Sequence, residues 1–212
     1  MADPDERGRR MSRRGGWWGI AFVAAVVVQA AMVSLPTAAS SGERIRVFYA
    51  VHAQLVVAQQ VLGILALIPL VGFVVALQRR LGGRQWLIAG AALVMAAEVS
   101  TNVPPLILAL SNPSAQTAHD LTVAEDLADV ALFASIALFS LVVALKSAWL
   151  LRTLGLVVAA LTLARVVVSP LAPTILDAVA PLAFLVLVLA LSVHMLVTPP
   201  GRGVVLGGGL LP

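Results

Sequence analysis

Strongly polar side chains interrupt the long apolar runs of this sequence at several separate points. The clearest stretch is AAEVSTNVPPLI (residues 96–107), which places Glu98 and Asn102 inside a run otherwise suited to lipid. A carboxylic acid held away from water can donate a proton, bind a cation or pair with a buried arginine. Arg165, in the run LTLARVVV (residues 161–168), is a candidate for such a pair. These residue types indicate chemistry inside an apolar environment.

The composition requires a membrane as that environment. Of 212 residues, 60% are hydrophobic and 11% are charged, and the mean hydropathy is +1.01. Soluble domains carry about 25% charged residues, so this chain cannot cover itself with a water-compatible surface. The net charge of +4 lies between apolar runs, where it indicates topology and argues against nucleic-acid binding. Cysteine is absent, which excludes disulfides and thiolate metal sites within this chain.

Six apolar runs are long enough to cross about 30 Å of hydrocarbon as helices. We therefore predict an all-α polytopic membrane bundle, a transmembrane domain over residues 17–197 whose six helices cover residues 17–35, 49–77, 85–110, 122–145, 154–169 and 178–197. Residues 1–16 and 198–212 are expected to be disordered cytoplasmic tails. Pro104–Pro105 is expected to interrupt the third span, and Asp120 or Thr122 to cap the fourth. The first run resembles a secretory signal, but its about 19 residues exceed the usual range of roughly 7–15 and favour an uncleaved anchor.

Basic residues predict the orientation of the bundle. One side holds those that precede span one, separate spans two and three, separate spans four and five, and follow span six: Arg7, Arg9, Arg10, Arg13, Arg14, Arg79, Arg80, Arg84, Lys146, Arg152 and Arg202. The opposite side holds Arg44 and Arg46 alone. By the positive-inside rule, both termini are expected in the cytoplasm (N-in/C-in) of a bacterial cytoplasmic (inner) membrane.

The helical rise of about 1.5 Å per residue converts sequence position into depth above the cytoplasmic ends. Glu98 and Arg165 come to about 20 Å, Gln29 to about 18 Å, Asp129 to about 24 Å, and Gln59 with Gln60 to about 25–27 Å. Five of the six helices thus place a polar residue in one layer. A charge facing lipid near the centre costs about 3 to more than 10 kcal/mol, so Glu98 and Arg165 must face the interior. Arg165 is the only cation of the layer, and we expect it to pair with Glu98, Asp129 or both.

Two interpretations of the polar layer stay open. As a ligand- or ion-binding site it comprises Glu98, Asn102, Asp126, Asp129, Arg165, Gln29 and Gln60, with Glu98 and Asp129 as catalytic candidates. As architecture, such groups hold helices together, and a buried glutamate–arginine pair can be purely structural. No nucleotide loop, catalytic triad, metal-site pattern or cofactor motif occurs in the sequence.

The second half of the chain resembles a known group of proteins. AEDLADVALFASIALFSLVVALKSAWLLRTLGLVVAALTLARVVVSPL and APLAFLVLVLALSVHMLV are similar to uncharacterised bacterial six-helix integral membrane proteins, a domain-of-unknown-function class of actinobacterial type. LGILALIPLVGFVVALQRRLGGRQWLIAGAALV is similar in rhythm to the first half of that group. The resemblance covers about residues 45–197 and implies a six-helix membrane fold without an assigned activity. The Ala-, Val-, Leu- and Arg-rich composition also fits a high-GC bacterium.

Three functions are compatible with these features. The bundle can bind or translocate a small molecule or ion through a cavity in the polar layer. Alternatively, it can be an enzyme on a lipid or isoprenoid substrate, using a buried carboxylic acid as the general acid. It can also be a structural or regulatory subunit without its own ligand. The lipid bilayer is the partner that the sequence implies, and the oligomeric state is not encoded in any motif.

Overall fold

The computed structural model describes residues 4–81, 85–168 and 175–198, which form six α-helices and no strand. The helices are α1 (Pro4–Met32), α2 (Gly42–Arg80), α3 (Gln85–Leu110), α4 (Ala115–Ala144), α5 (Trp149–Val168) and α6 (Leu176–Val197). Each contains a segment long and apolar enough to cross a membrane. Helices suit such a chain because they satisfy every backbone polar group within one segment, where no water is present. The predicted all-α, six-helix fold is confirmed.

The six helices close into a ring in chain order. Each packs against its neighbours in sequence, α1 packs against α6 to complete the ring, and α2 also packs against α4 across the bundle. At one end, which we call the terminal end, Arg80 donates hydrogen bonds to Ser12 Oγ and to the carbonyl of Thr198. At the opposite end, the far end, the amide of Ala38 in the α1–α2 loop donates to Asp126 Oδ2 of α4.

Apolar side chains fill the interior of the ring and also cover its outer surface. Inside, Phe184 of α6 meets Phe22 and Phe139 edge to face, with ring centroids 6.4 and 6.3 Å apart. Outside, Val51 and Ile68 of α2 are 72% and 61% exposed. Lipid tails are as apolar as these side chains, so an outer surface of this kind suits a bilayer.

The first helix begins earlier than the sequence predicted. Residues 1–16 were expected to be disordered, but residues 4–16 are helical and continue into the apolar run. Gly16 explains part of the difference, because a Cβ atom there would lie 2.7 Å from the Ser192 carbonyl oxygen of α6. Ser12 Oγ, in turn, donates to the carbonyl of Met195. This close packing against α6 accounts for helical structure from Ser12 onward, where the sequence predicted a disordered tail.

The start of α4 predicted from the sequence was also wrong. Asp120 or Thr122 was predicted as its N-cap, but Ser114 caps the helix and accepts a hydrogen bond from the Thr117 amide at 3.1 Å. Ser114 follows a proline and stands where a serine side chain can satisfy one of the free amides of a first turn. The α3–α4 loop is therefore short, and Thr122 is a buried helical residue.

The third helix is continuous through its two prolines. Pro104–Pro105 was expected to interrupt this span, yet α3 runs unbroken from Gln85 to Leu110. Proline removes one amide donor and crowds the preceding turn, but neighbouring helices let membrane helices tolerate it. Both proline rings are buried among those neighbours. The expected interruption of α3 at this point is therefore wrong.

Candidate ligand-binding site

Arg165 is the centre of an ion-pair cluster at the far end of the bundle. Its Nη2 donates to Asp129 Oδ2 of α4 at 2.6 Å. Its Nε lies 3.1 Å from Asp177 Oδ1 of α6, without the alignment of a hydrogen bond. The guanidinium carbon lies 3.7 Å from the ring centroid of Phe133, one turn along α4 from Asp129. The cluster thus ties α5 to both of the helices beside it.

The cluster confirms one expected pairing and adds a residue that the sequence analysis missed. Arg165 pairs with Asp129 as expected, whereas Glu98 takes no part in the cluster. Asp177 was missed because the sixth span was predicted to begin at residue 178, which left Asp177 in a loop. The structure places Asp177 in the first turn of α6. An acidic residue directly before an apolar run, at the depth of a buried arginine, was the available signal.

Glu98 lines a cavity in the middle of the bundle, below the Arg165 cluster. The cavity has a volume of about 100 Å³ and is walled by apolar side chains of α1, α2, α4 and α6, together with α3. Its lining residues are Phe22, Val26, Gly63, Ala66, Leu67, Leu70, Val94, Glu98, Leu132, Phe133, Ile136, Pro181, Phe184 and Leu185. The Glu98 carboxyl is the one polar side-chain group among them. No arginine or lysine of the described residues lies within ion-pair distance of it.

Asn102 holds the backbone and side chain of Glu98 on α3. Its Nδ2 donates to the Glu98 carbonyl at 2.6 Å and lies 3.4 Å from Glu98 Oε1, at the outer limit of a hydrogen bond. Gly63 of α2 faces this pair, because a Cβ atom there would lie 3.0 Å from Asn102 Oδ1 and would contact Gln29 Nε2. Gln29, Asn102 and Glu98 therefore do converge, at a point where α2 has no side chain.

Two helices, α4 and α6, contribute residues both to the cavity and to the ion-pair cluster. Phe133 lines the cavity and also carries the guanidinium of Arg165. On α6, Pro181 lines the cavity one turn along from Asp177. Residues four apart lie on the same face of a helix, so the cluster sits directly above the cavity on α4 and on α6. Both helices are thereby held at the positions that shape the cavity.

Other residues of the predicted polar layer have structural contacts outside the cavity. Asp126 accepts the hydrogen bond from Ala38 that anchors the α1–α2 loop. Gln59 donates to the carbonyls of Gln29 and Val33, at 3.0 and 2.8 Å, and so satisfies carbonyls at the end of α1. Gln60 is buried but does not line the cavity. The predicted layer thus divides into one cavity group, Glu98, and several groups that join helices.

A second buried polar contact lies at the far end, between α2 and α4. The hydroxyl of Tyr49, which is 1% exposed, faces the Glu125 carboxyl group without reaching hydrogen-bond geometry. Glu125 is one turn before Asp129 on α4. Among the described residues, no group of three histidine, aspartate or glutamate side chains is arranged to hold a metal ion.

Comparison with known proteins does not add a relative to this picture. No protein-family model, no curated protein and no solved structure matches the chain.

Proposed function

We propose that this membrane protein binds a compact small molecule in the central cavity, with Glu98 as its polar recognition group. One observation supports the proposal above the others: Glu98, which has no cationic partner among the described residues, lines an otherwise apolar cavity. Ligand sites are typically apolar, with a few polar groups that orient the ligand. Placing a carboxyl group in an apolar bundle is unfavourable unless something compensates it. A ligand that meets the carboxyl group supplies that compensation.

The volume restricts what the cavity can hold. An engineered apolar cavity of about 150 Å³ binds benzene, whereas drug-sized ligands occupy about 300–1,000 Å³. At about 100 Å³, this cavity suits a molecule of benzene size or smaller. A complete prenyl chain exceeds that space, which weighs against the isoprenoid enzyme. Asp129, the other general-acid candidate, is bonded to Arg165 and does not line the cavity.

Binding also fits better than conduction through the bundle. In the part of the chain that the structure describes, the polar side chains do not form a continuous path, since the apolar ring of Phe133 contacts the Arg165 guanidinium on one side and lines the cavity on the other. The same cluster bridges α4 and α6 through α5 above the cavity. A ligand entering from the far end would have to separate these charges. The proposal is therefore a binding protein, and translocation is a weaker alternative.

A cavity-filling variant tests the proposal. Ala66 lines the cavity, so Ala66→Leu adds three carbon atoms to the space that a ligand would occupy. The matched control is Ala58→Leu on the exposed face of the same helix. We expect the full-length protein in nanodiscs to bind tert-butanol or tert-butylammonium saturably, as measured by saturation-transfer NMR against empty nanodiscs. Ala66→Leu should abolish that binding, and Ala58→Leu should leave it unchanged.

Two outcomes would refute the binding proposal. One is the absence of saturable binding of both probes to the wild-type protein. The other is binding that survives both Ala66→Leu and a second cavity-filling variant, Val94→Leu, while both variants retain the wild-type helical spectrum. Val94 lines the cavity from α3, so two helices are tested independently.

We also propose that the chain lies in a bacterial cytoplasmic membrane with both termini in the cytoplasm, as a member of the six-helix group that it resembles. The basic residues of the described helices support this orientation. Arg79 and Arg80 end α2 and Arg152 begins α5, all at the terminal end, while Arg44 and Arg46 stand at the far end. The positive-inside rule assigns the more basic end to the cytoplasm.

The absence of cysteine makes this orientation testable. Ser111→Cys places a single thiol in the α3–α4 loop, and Ser147→Cys places one in the α4–α5 loop. A membrane-impermeant maleimide should label Ser111→Cys on intact cells and Ser147→Cys only after permeabilisation. The reverse pattern would contradict the proposed orientation.

A further inference from the structure

The chemistry of the cavity wall, in addition to the cavity volume, indicates which kind of ligand the cavity can bind. This inference rests on the proposed function. We infer that the cavity recognises a small organic cation, a protonated amine with a compact apolar body. The carboxylate of Glu98 would pair with the ammonium group, and the apolar wall would enclose the rest of the molecule.

The distribution of charge around the cavity is the first support. Arg165 is the one cation near the cavity among the described residues, and it contacts Asp129 and Asp177. Its positive charge is therefore committed to two carboxylates and is not available to Glu98. The net charge of the four side chains is negative when all of them are ionised, because there are three carboxylates (Glu98, Asp129 and Asp177) and one guanidinium (Arg165). A cationic ligand would reduce that excess, whereas an anionic ligand would increase it.

The geometry at Glu98 is the second support. Within the described residues, the hydrogen-bond partner of its carboxyl group is Asn102, and this contact is long, at 3.4 Å to Oε1. The amide of Asn102 is mainly directed at the Glu98 carbonyl, 2.6 Å away. A carboxylate can accept several hydrogen bonds at its two oxygens. The Glu98 carboxyl is therefore held in position but retains acceptor capacity toward the cavity.

Aromatic rings supply the third support. Phe22, Phe133 and Phe184 all line the cavity, on three different helices. The ring of Phe133 already makes a cation–π contact with the guanidinium of Arg165, whose carbon lies 3.7 Å from the ring centroid. The face of an aromatic ring attracts cations, and sites for organic ammonium groups combine several such rings. A carboxylate with three phenylalanines thus matches an alkylammonium ion in charge and in surface.

The same wall argues against a metal ion as the ligand. Hard metal cations such as Ca²⁺ bind about six to eight oxygen ligands. The cavity offers one carboxyl group, and its other walls are aliphatic or aromatic. An organic cation differs because its carbon atoms are compatible with apolar walls. Its ammonium group then needs few polar partners.

Three probes of similar shape and different charge test the inference. tert-Butylammonium and tert-butanol have the same compact apolar body, and pivalate is the anionic counterpart. We expect the wild-type protein in nanodiscs to bind tert-butylammonium about 10- to 100-fold more tightly than tert-butanol, since a hydrogen bond to a charged group contributes this much. Pivalate should not bind. Each affinity is measured by saturation-transfer NMR titration.

Glu98→Gln tests whether Glu98 is responsible for the preference for tert-butylammonium over tert-butanol, because glutamine keeps the size of the side chain and removes its charge. We expect this variant to bind tert-butanol as the wild type does and to lose the preference for tert-butylammonium. Asp120→Asn on the exposed face of α4 is the matched control: Asp120 lies outside the cavity lining, so the preference should survive there. Equal affinity of both probes, both abolished by Ala66→Leu, would overturn the cation inference and leave the binding proposal intact.

The remaining outcomes also decide the matter. A preference for tert-butylammonium that survives Glu98→Gln would overturn the assignment to this carboxyl group. Tighter binding of pivalate than of tert-butanol would overturn the charge argument altogether. Absence of binding by all three probes would overturn the cation inference together with the proposed function.

Discussion

Replacement of Arg165 by methionine should destabilise the bundle strongly, because it leaves two carboxylates of the cluster without their cation. Arg165 donates to Asp129 at 2.6 Å, lies 3.1 Å from Asp177 and covers the ring of Phe133. The arginine side chain is 11% exposed and each aspartate is 36% exposed. The arginine is therefore shielded from solvent, while its partners are partly screened.

The size of the effect follows from these three contacts. A hydrogen bond to a charged group contributes about 1.5–3 kcal/mol, a partly exposed ion pair up to about 1 kcal/mol, and a cation–π contact about 0.5–1 kcal/mol. Breaking a buried pair by removing one partner costs about 3–5 kcal/mol, because the other charge is left uncompensated. Because both aspartates are partly exposed, solvent screens part of this cost, and we expect Arg165→Met to lower the free energy of unfolding by about 2–4 kcal/mol.

A compensated variant separates charge from packing. If the loss comes from uncompensated carboxylates, Asp129→Asn and Asp177→Asn added to Arg165→Met should restore more than half of it. Asparagine retains hydrogen-bonding capacity in the first turn of α6, where Asp177 stands. Unfolding is followed by circular dichroism during SDS titration of the protein in mixed micelles.

Two results would show that this reasoning is wrong. A loss below about 1 kcal/mol for Arg165→Met would mean that the pair behaves as an exposed surface contact. A triple variant no more stable than Arg165→Met would mean that packing against Phe133, and not charge, carries the effect.

Three further predictions follow, two measured by the same titration and one by hydrogen exchange. Gly63→Ala should lower stability by about 1–3 kcal/mol through overpacking against Gln29 and Asn102; Gly90→Ala, whose Cβ would lie 3.4 Å from Phe139 Cα, is the control and should be neutral or stabilising. Gln59→Leu should cost about 1–3 kcal/mol, because two carbonyls at the end of α1 lose their donor, while Gln54→Leu on the exposed face should have little effect. Arg80→Met should speed hydrogen exchange of residues 12–19 relative to Arg14→Met, since Arg80 ties Ser12 to Thr198; equal exchange in the two variants would contradict that role.

The depth argument from sequence predicted part of the candidate site. Glu98, Arg165 and Asp129 were placed near one level by counting residues at about 1.5 Å each, and the Arg165–Asp129 contact confirms that two of them meet. Counting does not report the direction of a side chain around its helix axis. Glu98 and Arg165 therefore looked like partners by depth, whereas packing directs Arg165 to Asp129 and Asp177 and directs Glu98 to the cavity.

Some helix boundaries follow from the local sequence, whereas others depend on tertiary packing. Ser41 and Ser114 cap α2 and α4 through contacts three residues along the chain, a pattern that sequence can reveal. The helical start of α1 depends on glycines that approach α6 and α2, and on Ser12, which bonds Met195. The glycine-rich, charged sequence of residues 1–16 predicted disorder because the packing partners of its glycines and of Ser12 are distant in sequence, 183 residues away for the Ser12–Met195 contact.

The sequence by itself determined that this chain is a six-helix membrane bundle, because the length and composition of apolar runs decide whether lipid is the solvent. It also determined that a few polar residues must face inward, since exposing them to lipid is too unfavourable. Only the tertiary structure decided which of them meet and that a cavity remains beside Glu98. Those outcomes depend on the rotation of each helix and on side-chain volumes summed across five helices, and no single stretch of sequence contains that information.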